Sequence, residues 1–210
     1  MIGYYNYSVI ATYIGLISGI TGIRFALTGH IKAALICLLI NGLCDMMDGA
    51  IARKCKRSEE AKYFGMELDS LCDLVCFGVF PAMIGYVIGP QNIFTLITMI
   101  LFIMAAVIRL GYFNVQEILK EPDAGKRTHY TGLPVTAAAI VMPVFALLHA
   151  IPFVKTLYVY PLSMLLVSFL FVSRLKVKKP YGKALGVMAL IGVGILVLVI
   201  LFGGEISGGN

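Results

Sequence analysis

Seven stretches of roughly 20 apolar residues dominate this sequence, at about 8–27, 32–51, 69–89, 92–112, 133–151, 154–173 and 184–203. A helix needs about 20 such residues to cross the hydrocarbon of a bilayer, where each backbone polar group must be satisfied within the protein. The composition agrees. Of the 210 residues 60% are hydrophobic and 13% charged, and the mean hydropathy is +0.92, more apolar surface than a water-soluble domain of this size can hide. The expected fold is all-α, a polytopic transmembrane helix bundle. A further short amphipathic helix is expected from Lys54 to Gly65.

Residues Met1 to Ser8 carry no positive charge, and no cleavage pattern follows the first apolar run, so that run reads as a retained span. The five cysteines (Cys37, Cys44, Cys55, Cys72 and Cys76) are odd in number and lie in or beside apolar spans, which fits core packing rather than a disulfide framework. Basic residues alternate from side to side. Arg53, Lys54, Lys56, Arg57 and Lys62 follow span two, Lys120, Lys126 and Arg127 follow span four, and Arg174, Lys176, Lys178, Lys179 and Lys183 follow span six. The connections between them hold only Lys32 and Lys155. Basic loops stay in the cytoplasm, so the N-terminus is expected inside, in a prokaryotic plasma membrane. The net charge of +6 belongs to that one face, where topology and attraction to anionic lipid account for it; nucleic acid is not an expected partner. One integral-membrane domain over 1–203 and a glycine-rich tail over 204–210 are expected.

The segment from Cys44 to Phe80 concentrates the acidic residues that matter. Asp45 and Asp48 stand three apart near the end of span two, and Asp69 and Asp73 four apart near the start of span three. Both spacings put a pair on one helix face, about 5–6 Å apart at Cβ. The two helices are consecutive and joined on the basic side, so all four carboxylates can converge. Charges gathered at the edge of a low-dielectric slab repel and are costly to place there. One nearby guanidinium, Arg53, does not balance four carboxylates, whereas hard divalent ions do, Mg²⁺ or Mn²⁺ with Ca²⁺ as a further occupant. Two such ions about 3.5–4 Å apart would clamp a phosphate for in-line displacement. Gly49, Ala52 and Gly65 keep the neighbouring backbone uncluttered, or let helices pack closely.

The pattern Asp45-x2-Asp48-Gly49-x2-Ala52-Arg53, a gap of eleven residues, then Gly65-x3-Asp69-x3-Asp73 resembles the signature of the CDP-alcohol phosphotransferase family. Members exchange the CMP of a CDP-linked lipid or alcohol for another hydroxyl compound. The resemblance implies a six-helix family core, here with an additional C-terminal span, and a homodimer. It also implies that Asp45, Asp48, Asp69 and Asp73 bind two divalent ions, that Gly49, Ala52, Arg53 and Gly65 border the CDP moiety, and that Asp73 is the general base.

Within that family, Asp69 to Ala82, Arg109-Leu-Gly-Tyr-Phe-Asn114 and Tyr130-Thr-Gly-Leu-Pro134 are similar to stretches of the phosphatidylserine synthases. That similarity implies CDP-diacylglycerol as donor, L-serine as acceptor and membrane lipid as product. The chain departs from the pattern at Tyr112, where many members have a second Arg, and at Asn6-Tyr-Ser, where many have Pro-Asn. A serine carboxylate needs a cation, and Arg109 is the candidate clamp with Asn114 as its polar neighbour; the alternative is an interfacial arginine that only fixes span four. Glycerol 3-phosphate or an inositol compound as acceptor, or an ether-linked archaeal lipid as donor, would keep the same chemistry. A cation transporter, the reading from another class, predicts acidic residues at several depths of the spans, but here they gather near one face.

Overall fold

The computed structural model describes residues 3–4, 8–52, 58–119, 129–149, 151, 158–178 and 183–206. Helix α1 (Ser8–Leu27) and helix α2 (Ile31–Ala52) form the first hairpin. Its turn is a Schellman motif: Gly29 N–H donates to Ala26 O at 3.0 Å and His30 N–H to Phe25 O at 2.8 Å. Gly29 has φ +79°, the left-handed conformation that such a C-cap requires and that glycine adopts without a Cβ penalty.

The third membrane segment is one continuous helix of 30 residues, Glu59–Ile88. It opens as α3 (Glu59–Asp73), passes through a π-helical stretch at Leu74–Val79 and ends as α4 (Phe80–Ile88). Ser58 caps it by accepting from Ala61 N–H at 3.3 Å, with Glu59 and Glu60 in the first turn where the helix dipole favours them. The short amphipathic helix expected from Lys54 to Gly65 is therefore not a separate element. Its part from Glu59 onward is the start of the span, because nothing between Glu59 and Asp73 interrupts the helix, and residues 53–57 lie outside the described residues. Pro81 has no N–H to donate, and the wider π turn just ahead of it absorbs that missing bond.

Gly89 to Asn92 turn the chain into α5 (Ile93–Ile118), capped by Asn92 Oδ1 accepting from Thr95 N–H at 3.0 Å. After it, β1 (His129–Thr131) pairs antiparallel with β2 (Lys176–Lys178) in a two-stranded ribbon, Tyr130 opposite Val177. The apolar run expected over 133–151 turns helical late: Pro134 is extended and Val135–Ala137 is a 3-10 turn, so α6 spans only Ala138–His149. Helices α7 (Val159–Val172) and α8 (Lys183–Phe202) follow. Beyond α8, Gly203–Glu205 forms a 3-10 turn and Ile206 is buried in the core.

Among the described residues, three helices are long and apolar enough to cross a membrane: Val9–Leu27, Glu59–Ile88 and Ile93–Ile118. Ile10, Ile14 and Ile17 of α1, Ile97, Met104 and Ile108 of α5, and Leu190 and Leu201 of α8 are exposed, an outer surface made for lipid rather than water. The protein is an integral membrane helix bundle.

The bundle is held at close quarters on one face of α1. A Cβ on Gly22 would lie 2.2 Å from Phe80 Cζ and 2.9 Å from Cys37 Cβ, and one on Gly19 would lie 2.9 Å from Cys76 Sγ. Phe80 is fully buried and has no room to yield. Gly22→Ala is expected to destabilise the fold by about 1–3 kcal/mol through overpacking, whereas Gly194→Ala, where a Cβ meets open space, should be neutral or gain up to about 1 kcal/mol in helix propensity. Unfolding in mixed detergent followed by circular dichroism checks the difference; equal stability of the two variants would remove the tight α1 contact.

Candidate active site

Three of the four aspartates converge. Asp45, Asp48 and Asp69 each offer a carboxylate oxygen, and these three atoms all lie within 4.8 Å of one another. Asp45 and Asp48 share one face of α2, while Asp69 approaches from α3, ten residues or about 15 Å into that helix. Asp48 is buried at 7% exposure, and its Oδ2 accepts from Thr12 Oγ1 of α1 at 3.2 Å. Helix α1 thus supplies a donor to the cluster as well as a wall.

Asp73 stands one turn farther along α3. It is not in the group of three, but it lines a small cavity with Asp45 and Asp48, and Thr12 and Asn41 line the same space. Asn41 is 1% exposed, and among the described residues neither atom of its amide has a hydrogen-bond partner. A buried amide without partners costs of order 1–3 kcal/mol, so its place on the wall of the aspartate cavity matches a site built for a polar occupant. Cys44, Cys72 and Cys76 also line the wall, yet the ligating atoms that come together among the described residues are all carboxylate oxygens.

Electrostatics gives the cluster its meaning. Two unit charges within 4.8 Å repel by at least about 3 kcal/mol at an effective dielectric of 20, and three carboxylates make three such pairs. Among the described residues no salt bridge reaches any of the four aspartates. An all-oxygen set with uncompensated charge and open cavity beside it fits a hard divalent cation. The residues present are therefore able to hold the metal that their spacing suggests.

The remaining candidate residues frame this centre. Gly49 follows Asp48 within α2, Ala52 closes that helix, and Gly65 stands one turn before Asp69 on α3; Arg53 lies outside the described residues. Asn114 of α5 is buried, and its Oδ1 accepts from Ser70 Oγ at 2.9 Å, which ties α5 to the turn between Asp69 and Asp73. Arg109 is not a lipid-facing arginine. It is 5% exposed, its guanidinium carbon sits 5.8 Å from the centre of the Phe113 ring, and its Nε donates to Leu133 O at 3.1 Å.

That last contact explains the Tyr130-Thr-Gly-Leu-Pro134 segment. Gly132 is left-handed (φ +81°), and a Cβ there would lie 2.8 Å from Phe171 O and 2.9 Å from Ser173 O. Its N–H donates to Leu175 O at 2.7 Å, and Leu133 N–H donates to Leu170 O at 3.1 Å. The turn is thus pinned between the end of α7 and Arg109. His30 lies in the α1–α2 turn, at the opposite end of α2 from Asp45 and Asp48; Lys126 and Arg127 lie outside the described residues.

Two residues of the cavity were not foreseen from sequence. Asn41 precedes Asp45 by one helical turn, a polar residue inside an apolar run on the aspartate face, and that phase was the available signal. Thr12 carries no comparable mark, since a threonine in a membrane helix commonly bonds its own backbone.

A family model described as CDP-alcohol phosphatidyltransferase matches residues 5–171. The chain is 37% identical over 145 residues to the CDP-diacylglycerol--serine O-phosphatidyltransferase of Saccharomyces cerevisiae, covering 63% of this chain and 51% of that protein. It is 33% identical over 131 residues to the archaetidylserine synthase of Methanothermobacter thermautotrophicus, covering 62% and 53%. To the CDP-diacylglycerol--serine O-phosphatidyltransferase of Methanocaldococcus jannaschii it is 27% identical over 170 residues, covering 81% and 74%. The chain spans about half the length of the first two relatives. The family match runs from just before α1 to the end of α7 and takes in every aspartate of the cluster, so the chain belongs to the CDP-alcohol phosphatidyltransferase family.

Proposed function

We propose that this protein transfers the phosphatidyl group of CDP-diacylglycerol to the hydroxyl of L-serine, giving phosphatidylserine and releasing CMP. The observation that carries the reading is the convergence of Asp45, Asp48 and Asp69 beside a cavity that Asp73 also lines. The two serine-transferring relatives and the archaetidylserine synthase support serine as the acceptor.

In this reading Asp45, Asp48, Asp69 and Asp73 hold two divalent ions, Mg²⁺ or Mn²⁺. When bound, those ions neutralise the donor's pyrophosphate and the charge that develops on departing CMP. Asp73, lining the cavity beside the cluster, takes the proton of the serine hydroxyl as that oxygen attacks the lipid-side phosphorus. The bond from that phosphorus to the CMP oxygen breaks as the new one forms. Gly49, Ala52, Arg53 and Gly65 border the cytidine diphosphate. Arg109 supplies the cation that the serine carboxylate needs, and Asn114, held through Ser70 to the turn between Asp69 and Asp73, is the second acceptor contact. The site works at the cytoplasmic face of a prokaryotic plasma membrane, and the protein works as a homodimer.

The decisive measurement supplies purified protein with CDP-diacylglycerol, Mn²⁺ and, separately, radiolabelled serine, glycerol 3-phosphate and inositol phosphate. Lipid product is expected from serine alone, and an ether-linked archaeal CDP-lipid in parallel reads the donor. Absence of CMP release with every acceptor would end the enzymatic reading. Dialysis against EDTA should abolish turnover, and Mg²⁺ or Mn²⁺ should restore it; full activity after chelation would remove the ions from the reaction. Asp73→Asn should lower kcat by about 10²–10⁴-fold, the usual contribution of a general base, while CDP-lipid binding by calorimetry persists. Ordinary turnover in that variant would take the base role away from Asp73.

A further inference from the structure

Asn41 stands one helical turn before Asp45 on the same face of α2, in the wall of the aspartate cavity. Its amide offers two N–H donors and an acceptor oxygen, and among the described residues none of them is used. A polar residue that ties membrane helices together bonds across to a neighbour. Asn41 makes no such bond to α1, although a Cβ on Gly19 would lie only 3.3 Å from its Nδ2. Gly19 leaves the amide its room without giving it a partner. An apolar side chain of similar size would fill the position without burying an unpaired amide, so helix packing does not account for Asn41.

The neighbours on the cavity wall show what the amide can serve. Asp48 is already held from α1, by the hydroxyl of Thr12. Asp45 and Asp73 line the same space, and neither amide atom of Asn41 reaches a carboxylate directly. A link between them therefore runs through a molecule in the cavity. A volume of about 220 Å³ with an amide, a hydroxyl and carboxylates on its wall suits a water, which needs two to four polar partners.

We propose that Asn41 is a positioning residue of the metal centre: through a water in the cavity its amide holds the carboxylates of Asp45 and Asp73 in the orientation that a divalent ion requires. This rests on the reading of the aspartates as metal ligands and is independent of serine as the acceptor. Groups that fix ligating side chains from outside typically change metal affinity about 10–100-fold when they are lost. The amide is a burden to the metal-free protein and a support to the loaded one.

That opposition supplies the test. Mn²⁺ affinity is measured by electron paramagnetic resonance on purified protein in detergent, with neither donor nor acceptor present, and the metal-free Tm is read by circular dichroism. Asn41→Val should weaken Mn²⁺ binding about 10–100-fold while its metal-free Tm stays at or above that of the wild type. Asn41→Thr, the same shape with a hydroxyl restored, should bind Mn²⁺ about threefold or more tighter than Asn41→Val. Ser168→Ala, which removes a buried hydroxyl of α7 that is not on the cavity wall, should leave the affinity unchanged. An affinity in Asn41→Val within twofold of the wild type overturns the proposal. So does a lower metal-free Tm or failure to fold in Asn41→Val, or equal affinities of the Val and Thr variants, each of which marks Asn41 as a packing residue. A wild type that binds no Mn²⁺ ends the metal reading and this proposal with it, whereas failure of serine as acceptor touches neither.

Discussion

The site depends on how closely α1 approaches the helices that bear the aspartates. Lipid tails offer no hydrophobic drive to bring membrane helices together, so packing and hydrogen bonds must do it. Gly19 and Gly22 remove the side chains that would hold α1 away from Cys76 and Phe80, and Gly15 brings it to Cys44. From that position Thr12 reaches Asp48. Like charges on α2 and α3 push these helices apart, and the contact with α1 is one of the forces that keeps them together.

Around that contact the polar links run in a fixed order. Ser70 joins α3 to Asn114 on α5, and Arg109, just over one turn earlier on α5, joins it to Leu133. Leu133 and Gly132 bond in turn to the end of α7. The chain of bonds passes from the aspartate helix to the ribbon of β1 and β2 without a charged pair among its described steps. Buried hydrogen bonds of this kind specify one arrangement because each leaves an unsatisfied group if broken.

Much of this was legible in the residues themselves. The three- and four-residue spacings of Asp45, Asp48, Asp69 and Asp73 carry their own helix phase, and Gly89-Pro90 marks its turn. Other features depend on what lies across the bundle. The start of α6 is displaced to Ala138 because Gly132 must turn left-handed against Phe171 and Ser173, a contact with residues some forty positions away. The ribbon escapes sequence reading since its strands have three residues each and one reads Lys-Val-Lys, too short and too polar to carry a strand pattern. Asn41 and Thr12 were hidden because one polar residue in an apolar run has an ordinary explanation until its neighbours in space are known.

The π-helical stretch at Leu74–Val79 sets the angle between two halves of one helix. It begins at the residue after Asp73 and ends at the residue before Phe80, so the aspartates lie on one side of it and the core anchors Phe80 and Ile84 on the other. A π turn holds one residue more than an α turn, and one residue is worth about 100° of rotation. Wound as an ordinary α-helix without the wider turn, the same residues would leave Phe80 seated under α1 and swing Asp69 and Asp73 about a quarter-turn away from α2. The insertion acts as a phase shifter: the lower helix is indexed to the core, the upper helix to the carboxylates of its neighbour, and one extra residue lets a single span satisfy both.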